Sequence, residues 1–219
     1  MRKPLIIIFS ILLVDQILKF WIKTHMYLGQ EFHIFGSNWF IIHFTENNGV
    51  AFGMELPFTN GKLFLSMFRI LAVIAIGWYL YNITNKNSHW GLITSISLIF
   101  AGAMGNIIDS AFYGIIFSSS DYHVASFLPE GGGYGTFLHG KVVDMLYFPI
   151  IKGYYPDWFP FWANREFIFF RPVFNIADSS ITVGVFTLLI FQKKFFNKYS
   201  KYEQAEEVIV EEKNTSIEE

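Results

Sequence analysis

The chain has 219 residues, of which 53% are hydrophobic, 20% aromatic and only 16% charged. Soluble domains carry about a quarter charged residues, so these proportions point to a membrane protein. A net charge of -2 is uninformative and nothing suggests a nucleic-acid partner, and the lack of cysteine excludes disulfides, thiolate metal sites and a cysteine nucleophile.

Met1-Arg2-Lys3 is a basic head, and Leu5 to Val14 is apolar except for Ser10. This is how a secretory signal peptide begins, but no small-x-small cleavage site follows and the apolar pattern continues through Phe20-Trp21-Ile22. Residues 4–22 are therefore expected to form a retained first transmembrane helix. Asp15, Lys19 and Lys23 fall at i, i+4 and i+8 on one face. In the simplest reading Asp15 and Lys19 neutralise each other and Lys23 snorkels. A charge pair at that depth is still expected to face protein rather than lipid.

From Met26 to Gly61 the pattern changes. Glu31 to Phe35 and Trp39 to Phe44 are short, aromatic and β-branched, with Gly36-Ser37-Asn38 between them as a turn signal. They predict a small β-sheet at the membrane surface. Asn47-Asn48-Gly49 then supplies residues that tolerate positive φ. Residues 63–81 predict the second span, in which Arg69 is expected to snorkel to lipid phosphates. Residues 90–108 predict the third, where Gly102, Ala103 and Gly105 allow close helix packing. Ala111 to Pro172 reads as a long irregular loop rich in Gly, Pro and aromatics, with parts of it in the membrane interface. Residues 173–191 predict the fourth span, with Pro172 at its start. Residues 201–219 form an acidic tail expected to be disordered. The expected fold is thus mainly α and membrane-embedded. Residues 1–200 make one domain of four transmembrane helices, with a small extracytoplasmic sheet and a long extracytoplasmic loop between helices 3 and 4.

Arg2, Lys3, Lys86, Lys193, Lys194, Lys198 and Lys201 share one side of this arrangement, which places that side and both termini in the cytoplasm. Polar groups then converge at the opposite, outer boundary. Asn106 and Asp109 end the third span, and Asn175 and Asp178 open the fourth. Each pair has Asn-x-x-Asp spacing, which puts both side chains on one helical face. Asn47 lies in the outer hairpin region, Asp144 in an apolar stretch of the outer loop, and Lys19 in the outer half of the first span. Two carboxylates held close do not both ionise easily, so a pair shares a proton near neutral pH. Such a pair can activate water with one member and protonate a leaving amine with the other. Asp144, Asp178 and Asp109 are the candidates, and spacing alone does not choose among them.

These residues carry a resemblance. Asn175-Ile176-Ala177-Asp178, preceded by Val142-Val143-Asp144, resembles the two aspartate motifs of the lipoprotein signal peptidases, the type II signal peptidase family. Asp15-Gln16-Ile17-Leu18-Lys19 resembles that family's first-helix motif. Asn47-Asn48-Gly49-Val50-Ala51-Phe52 resembles its second, and Gly102 to Asp109 its third. The resemblance implies an aspartic endopeptidase of the bacterial inner membrane, with its active site on the periplasmic side. It would cut the signal peptide from a diacylglyceryl-modified prolipoprotein just before the lipidated cysteine. It implies Asp144 and Asp178 as the catalytic dyad. Asn47, Gly49, Asn106, Asp109, Asn175 and Ala177 would shape the site, and Asp15 and Lys19 would support the outer end of the first helix. It implies no cofactor and no metal, membrane lipid as surroundings, and a monomer. Ser110 stands where the family usually has arginine, so a salt bridge is missing or replaced. The stretches 111–141 and 146–172 are longer than usual.

Other chemistries fit less well. Gly135 to Lys141 has the spacing of a phosphate-binding loop, but Val142 replaces the required Ser or Thr. The histidines lack metal-ligand spacing, and there is no Gly-x-Ser-x-Gly. The alternative from another class is a small transporter or proton conductor, with Asp15, Lys19, Arg69 and Asp178 as its charge pathway.

Overall fold

The computed structural model describes residues 2–48 and 61–196. Gly49, the stretch Val50 to Pro57 and the tail 201–219 lie outside the described residues.

Four helices are long and apolar enough to cross a membrane: α1 (Arg2–His25), α2 (Gly61–Asn85), α3 (Trp90–Ile108, continued by further helical turns to Ile116) and a fourth helix, Ile176–Phe196. Their burial pattern is the reverse of a soluble bundle. On α1 the polar Asp15 is 0% exposed while Phe9 is 67% exposed. Charged groups turn inward and apolar ones outward only where the surroundings are themselves apolar.

The helix α3 is the centre of the bundle and packs against both α1 and α2. Its small residues set that closeness. A Cβ on Gly102 would collide with the carbonyl oxygen of Ala177 at the start of the fourth helix, and one on Gly105 would lie 2.8 Å from Asp15 Oδ2 on α1. Buried hydroxyls are satisfied within the helices: Ser95 donates to Gly91 O at 2.9 Å and Ser97 to Ile93 O at 2.7 Å.

At one end of the bundle sits a four-stranded antiparallel sheet of order β1-β2-β3-β6, formed by Glu31–His33, Ile41–Asn47, Val142–Tyr147 and Val173–Phe174. The Gly36 turn joins β1 to β2, with Phe35 and Gly36 both at positive φ. A second hairpin, β4 (Ile151–Tyr154) with β5 (Glu166–Phe169), stands apart from that sheet. Under the sheet, Ile22, Met26, Phe44, Tyr113, Phe117, Val143 and Met145 form a common apolar core.

Several expectations are corrected. The first two spans run to His25 and Asn85, past the expected ends at 22 and 81. Residues 173–174 are a strand, so the fourth helix begins at Ile176 and not at Val173. Its cap is Asn175, which outcompetes Pro172 because its side chain accepts the Asp178 N–H at 2.8 Å. The region 111–172 is not irregular throughout. The helix continues through a π-helical turn, Asp109–Tyr113, and Val142–Tyr147 is an interior strand of the sheet. That strand reads as loop in the sequence because both of its faces are buried, so no alternation marks it.

Candidate active site

The site is assembled where the sheet meets the helix ends. Residues Glu46 and Asn47 are consecutive on β2, so their side chains leave opposite faces of the sheet. Asn47 pairs with Val142 across the ladder, which brings it onto the same face as Asp144. Its Nδ2 donates to Asp144 Oδ2. Asn175 Nδ2 donates to Asp144 Oδ1 at 2.8 Å. Asn106 Nδ2 donates to Asp178 Oδ1 at 2.8 Å, while its Oδ1 accepts from Asn175 Nδ2 at 3.2 Å. The two aspartates are therefore joined by a continuous path, Asp178 to Asn106 to Asn175 to Asp144.

Behind this layer lies a charged one. Lys19 Nζ has three donor positions and uses all of them: Asp109 Oδ2 at 2.8 Å, Asp15 Oδ2 at 2.9 Å and Asn106 Oδ1 at 3.1 Å. That ammonium fixes the Asn106 amide with its oxygen toward Lys19 and its nitrogen toward Asp178. Asp15 Oδ1 accepts the N–H of Ala177, one of the unpartnered amides in the first turn of the fourth helix. Asp109 Oδ2 also accepts the N–H of Val143, next to Asp144 on β3. Asp109 is fully buried and partnered, and its helix continues in a π-helical turn of the kind often found at functional sites. Ser110 donates to Asn106 O at 3.0 Å, and Asp109 takes its countercharge from Lys19.

Asp144 is 4% exposed. Burial, together with the charge of Asp178, pushes its carboxyl up to about 7, against the opposing pull of Lys19 and the amides of Asn47 and Asn175. Asp178 is less buried and lies in the first turn of the fourth helix, where the helix dipole favours negative charge. The arrangement thus links a carboxyl that burial and a neighbouring charge keep easily protonated to a second carboxyl through a single hydrogen-bonded unit.

Of the residues singled out from sequence, Asp15, Lys19, Asn47, Asn106, Asp109, Asp144, Asn175, Ala177 and Asp178 come together here. Sequence reasoning missed others. Gln16 donates to Asp109 Oδ1 at 2.9 Å and accepts from Tyr113 Oη at 3.2 Å. Lys23 does not snorkel. It is fully buried, bonded to Glu46 at 2.6 Å and Ser120 at 2.7 Å, with the Tyr134 ring 5.0 Å away. Its place in the Asp15-Lys19-Lys23 series was the available signal. Arg69 is also corrected. It lies on the α2 face that buries Ser66 and Val73, and it interacts electrostatically with Asp178, Asp144 and Asp109, so it turns toward the site rather than to lipid phosphates. Among the described residues no group of His, Asp and Glu could hold a metal ion.

Fold and site together define a polytopic membrane enzyme whose polar interior converges on paired aspartates. The chain belongs to the signal peptidase II family: the family model described as Signal peptidase (SPase) II matches residues 7–194. A lipoprotein signal peptidase of Porphyromonas gingivalis is 51% identical over 185 residues, covering 84% of this chain and 80% of that protein. One from Amoebophilus asiaticus is 36% identical over 197 residues, covering 88% of this chain and 79% of that protein. A solved bacterial membrane enzyme superposes with a TM-score of 0.56 at 26% identity, covering 89% of each chain. These likenesses support a peptidase and give no support to a transporter or proton conductor.

Proposed function

We propose that residues 1–200 form one integral membrane peptidase domain in which Asp144 and Asp178 hydrolyse a single peptide bond of a lipid-modified substrate. The substrate is a diacylglyceryl-modified prolipoprotein, cut just before the lipidated cysteine. The enzyme acts as a monomer in the bacterial inner membrane, with both termini cytoplasmic and the site facing the periplasm. The basic residues near the helix ends on one side support that orientation.

The observation that carries the reading is the hydrogen-bonded unit that joins Asp144 to Asp178 through Asn175 and Asn106. In this reading Asp178 takes a proton from water as its oxygen attacks the scissile carbonyl carbon. Asp144 gives its proton to the carbonyl oxygen, forming a neutral geminal diol. When the C–N bond breaks, Asp178 passes its proton to the departing nitrogen and Asp144 recovers one from the diol, so the dyad ends as it began. Asn106 and Asn175 hold the two carboxyls in register, and Asn47 with Asn175 fixes the Asp144 rotamer. Asp15, Lys19 and Asp109 support the layer beneath.

The test is the pair of variants Asp144→Asn and Asp178→Asn, assayed separately in lipid with a diacylglyceryl-modified prolipoprotein peptide. Each is expected to lose cleavage by at least about a hundredfold, the scale of a lost acid–base partner. Near wild-type cleavage by either variant refutes the dyad. No cleavage by the wild-type protein refutes the substrate assignment.

A further inference from the structure

Between β3 and β6 the chain leaves the sheet as a separate finger. Its strands pair from Ile151↔Phe169 to Tyr154↔Glu166. The root of the finger is fixed, because Tyr147 pairs with Val173 in the sheet and the fourth helix begins at Ile176. The finger therefore springs from the level at which that helix would enter the membrane.

Its tip, Tyr154-Tyr155-Pro156-Asp157-Trp158-Phe159-Pro160-Phe161-Trp162, has two layers. The inner layer holds the shape: Tyr155 stacks on Phe159 at 4.9 Å and lies 5.5 Å from Phe167, and Phe159 lies 6.0 Å from Trp162. The outer layer projects, with Trp158 78% and Phe161 90% exposed. Phe161 is held at φ 69°, a left-handed conformation unfavourable for a bulky residue. Burial within the chain does not offset that cost, since the ring points away from it.

We infer that the β4–β5 finger dips its aromatic tip into the headgroup and upper acyl region of the leaflet at the sheet end of the bundle. Three observations select lipid as the occupant. The exposed tip side chains Trp158 and Phe161 are apolar, as are the outward-facing side chains of the four spans. Tryptophan and tyrosine, apolar rings with one polar atom, are the side chains enriched at that depth. Exposed Arg165 beside the tip, with Lys152 and Arg171 nearer the root, supplies cations for phosphate and anionic headgroups, against the two acidic residues Asp157 and Glu166. The finger would then hold β3 and β6, which carry Asp144 and lead into Asp178, level with the membrane surface. That consequence rests on the proposed dyad, whereas the insertion does not.

The absence of native cysteine allows a direct test. Phe161→Cys is labelled with a nitroxide in vesicles of phosphatidylethanolamine and phosphatidylglycerol, and its collisions with oxygen and with a water-soluble nickel complex are compared. Leu71→Cys on the lipid-exposed side of α2 is the lipid reference, and Glu130→Cys in an exposed loop is the aqueous one. The expected result is an oxygen-favoured ratio at residue 161, shallower than at residue 71 and well separated from residue 130. A ratio equal to that at residue 130 overturns the inference. So does an oxygen-favoured signal that arises only on adding a prolipoprotein peptide, which would make the finger a substrate arm. Spin–spin broadening that disappears on dilution with unlabelled protein also overturns it, in favour of contact with a second copy. Trp158→Cys, labelled in the same way, guards against a local effect at one position and is expected to agree.

Discussion

Replacing Asn47 by leucine should move the alkaline limb of activity to higher pH. Each oxygen of Asp144 accepts one amide: Oδ1 from Asn175 at 2.8 Å and Oδ2 from Asn47. A hydrogen bond to a charged acceptor contributes about 1.5–3 kcal/mol, and a neutral carboxyl keeps roughly half of that through its carbonyl oxygen. The Asn47 amide therefore favours the ionised form by about 0.8–1.5 kcal/mol, equivalent to roughly 0.6–1.1 pH units. Asp144 is buried, so water does not readily replace the lost donor. If a neutral Asp144 is the acid, kcat/KM in the wild type should fall as pH rises through about 7. In Asn47→Leu the fall should come near pH 8, on a lower plateau. The assay is kcat/KM against pH from 5 to 9.5 with a lipidated peptide in lipid, alongside a thermal melt to confirm folding. A limb that stays fixed or moves to lower pH in a folded, active variant would refute the assignment of the proton to Asp144.

Further outcomes follow from the same contacts. The carboxyl of Asp144 lies higher in the folded state than its ordinary 3.8, so the folded protein retains a proton that the unfolded chain releases. Stability should fall as pH rises from about 4 to about 7, by at most about 4 kcal/mol. Asp144→Asn should accordingly melt above wild type at pH 8, with the advantage gone near pH 4. Lys19→Met strands two fully buried carboxylates and should cost about 3–5 kcal/mol in thermal or denaturant unfolding, partly recovered by adding Asp109→Asn. Lys23→Met should destabilise on the same scale, and Lys23→Met with Glu46→Gln should be milder than the single change, since neither buried charge is then left alone. Gly102→Ala should cost about 1–3 kcal/mol and reduce activity, because its Cβ would meet the Ala177 carbonyl and displace the helix turn that carries Asp178.

The sequence by itself determined the surroundings and much of the site's membership. Low charge and long apolar runs dictate four spans, since backbone hydrogen bonds in lipid must close within each segment. Asn-x-x-Asp spacing fixes which side chains share a helical face, because helix periodicity is a local property. Only the tertiary structure decided how those faces meet. Asp15, Lys19 and Lys23 form one series in the sequence, yet Lys19 is consumed by the site while Lys23 pairs with Glu46 beneath the sheet. Glu46 and Asn47 are neighbours in the chain, yet strand alternation sends one to Lys23 and the other to Asp144. The strand bearing Asp144 gave no periodic signal because both its faces are buried, and Arg69 read as a lipid-facing residue until the site was assembled around it. Charge partners are chosen by three-dimensional distance, and in an apolar interior an unpaired charge costs so much that pairing decides the packing. A linear sequence exposes the charges but not the distances.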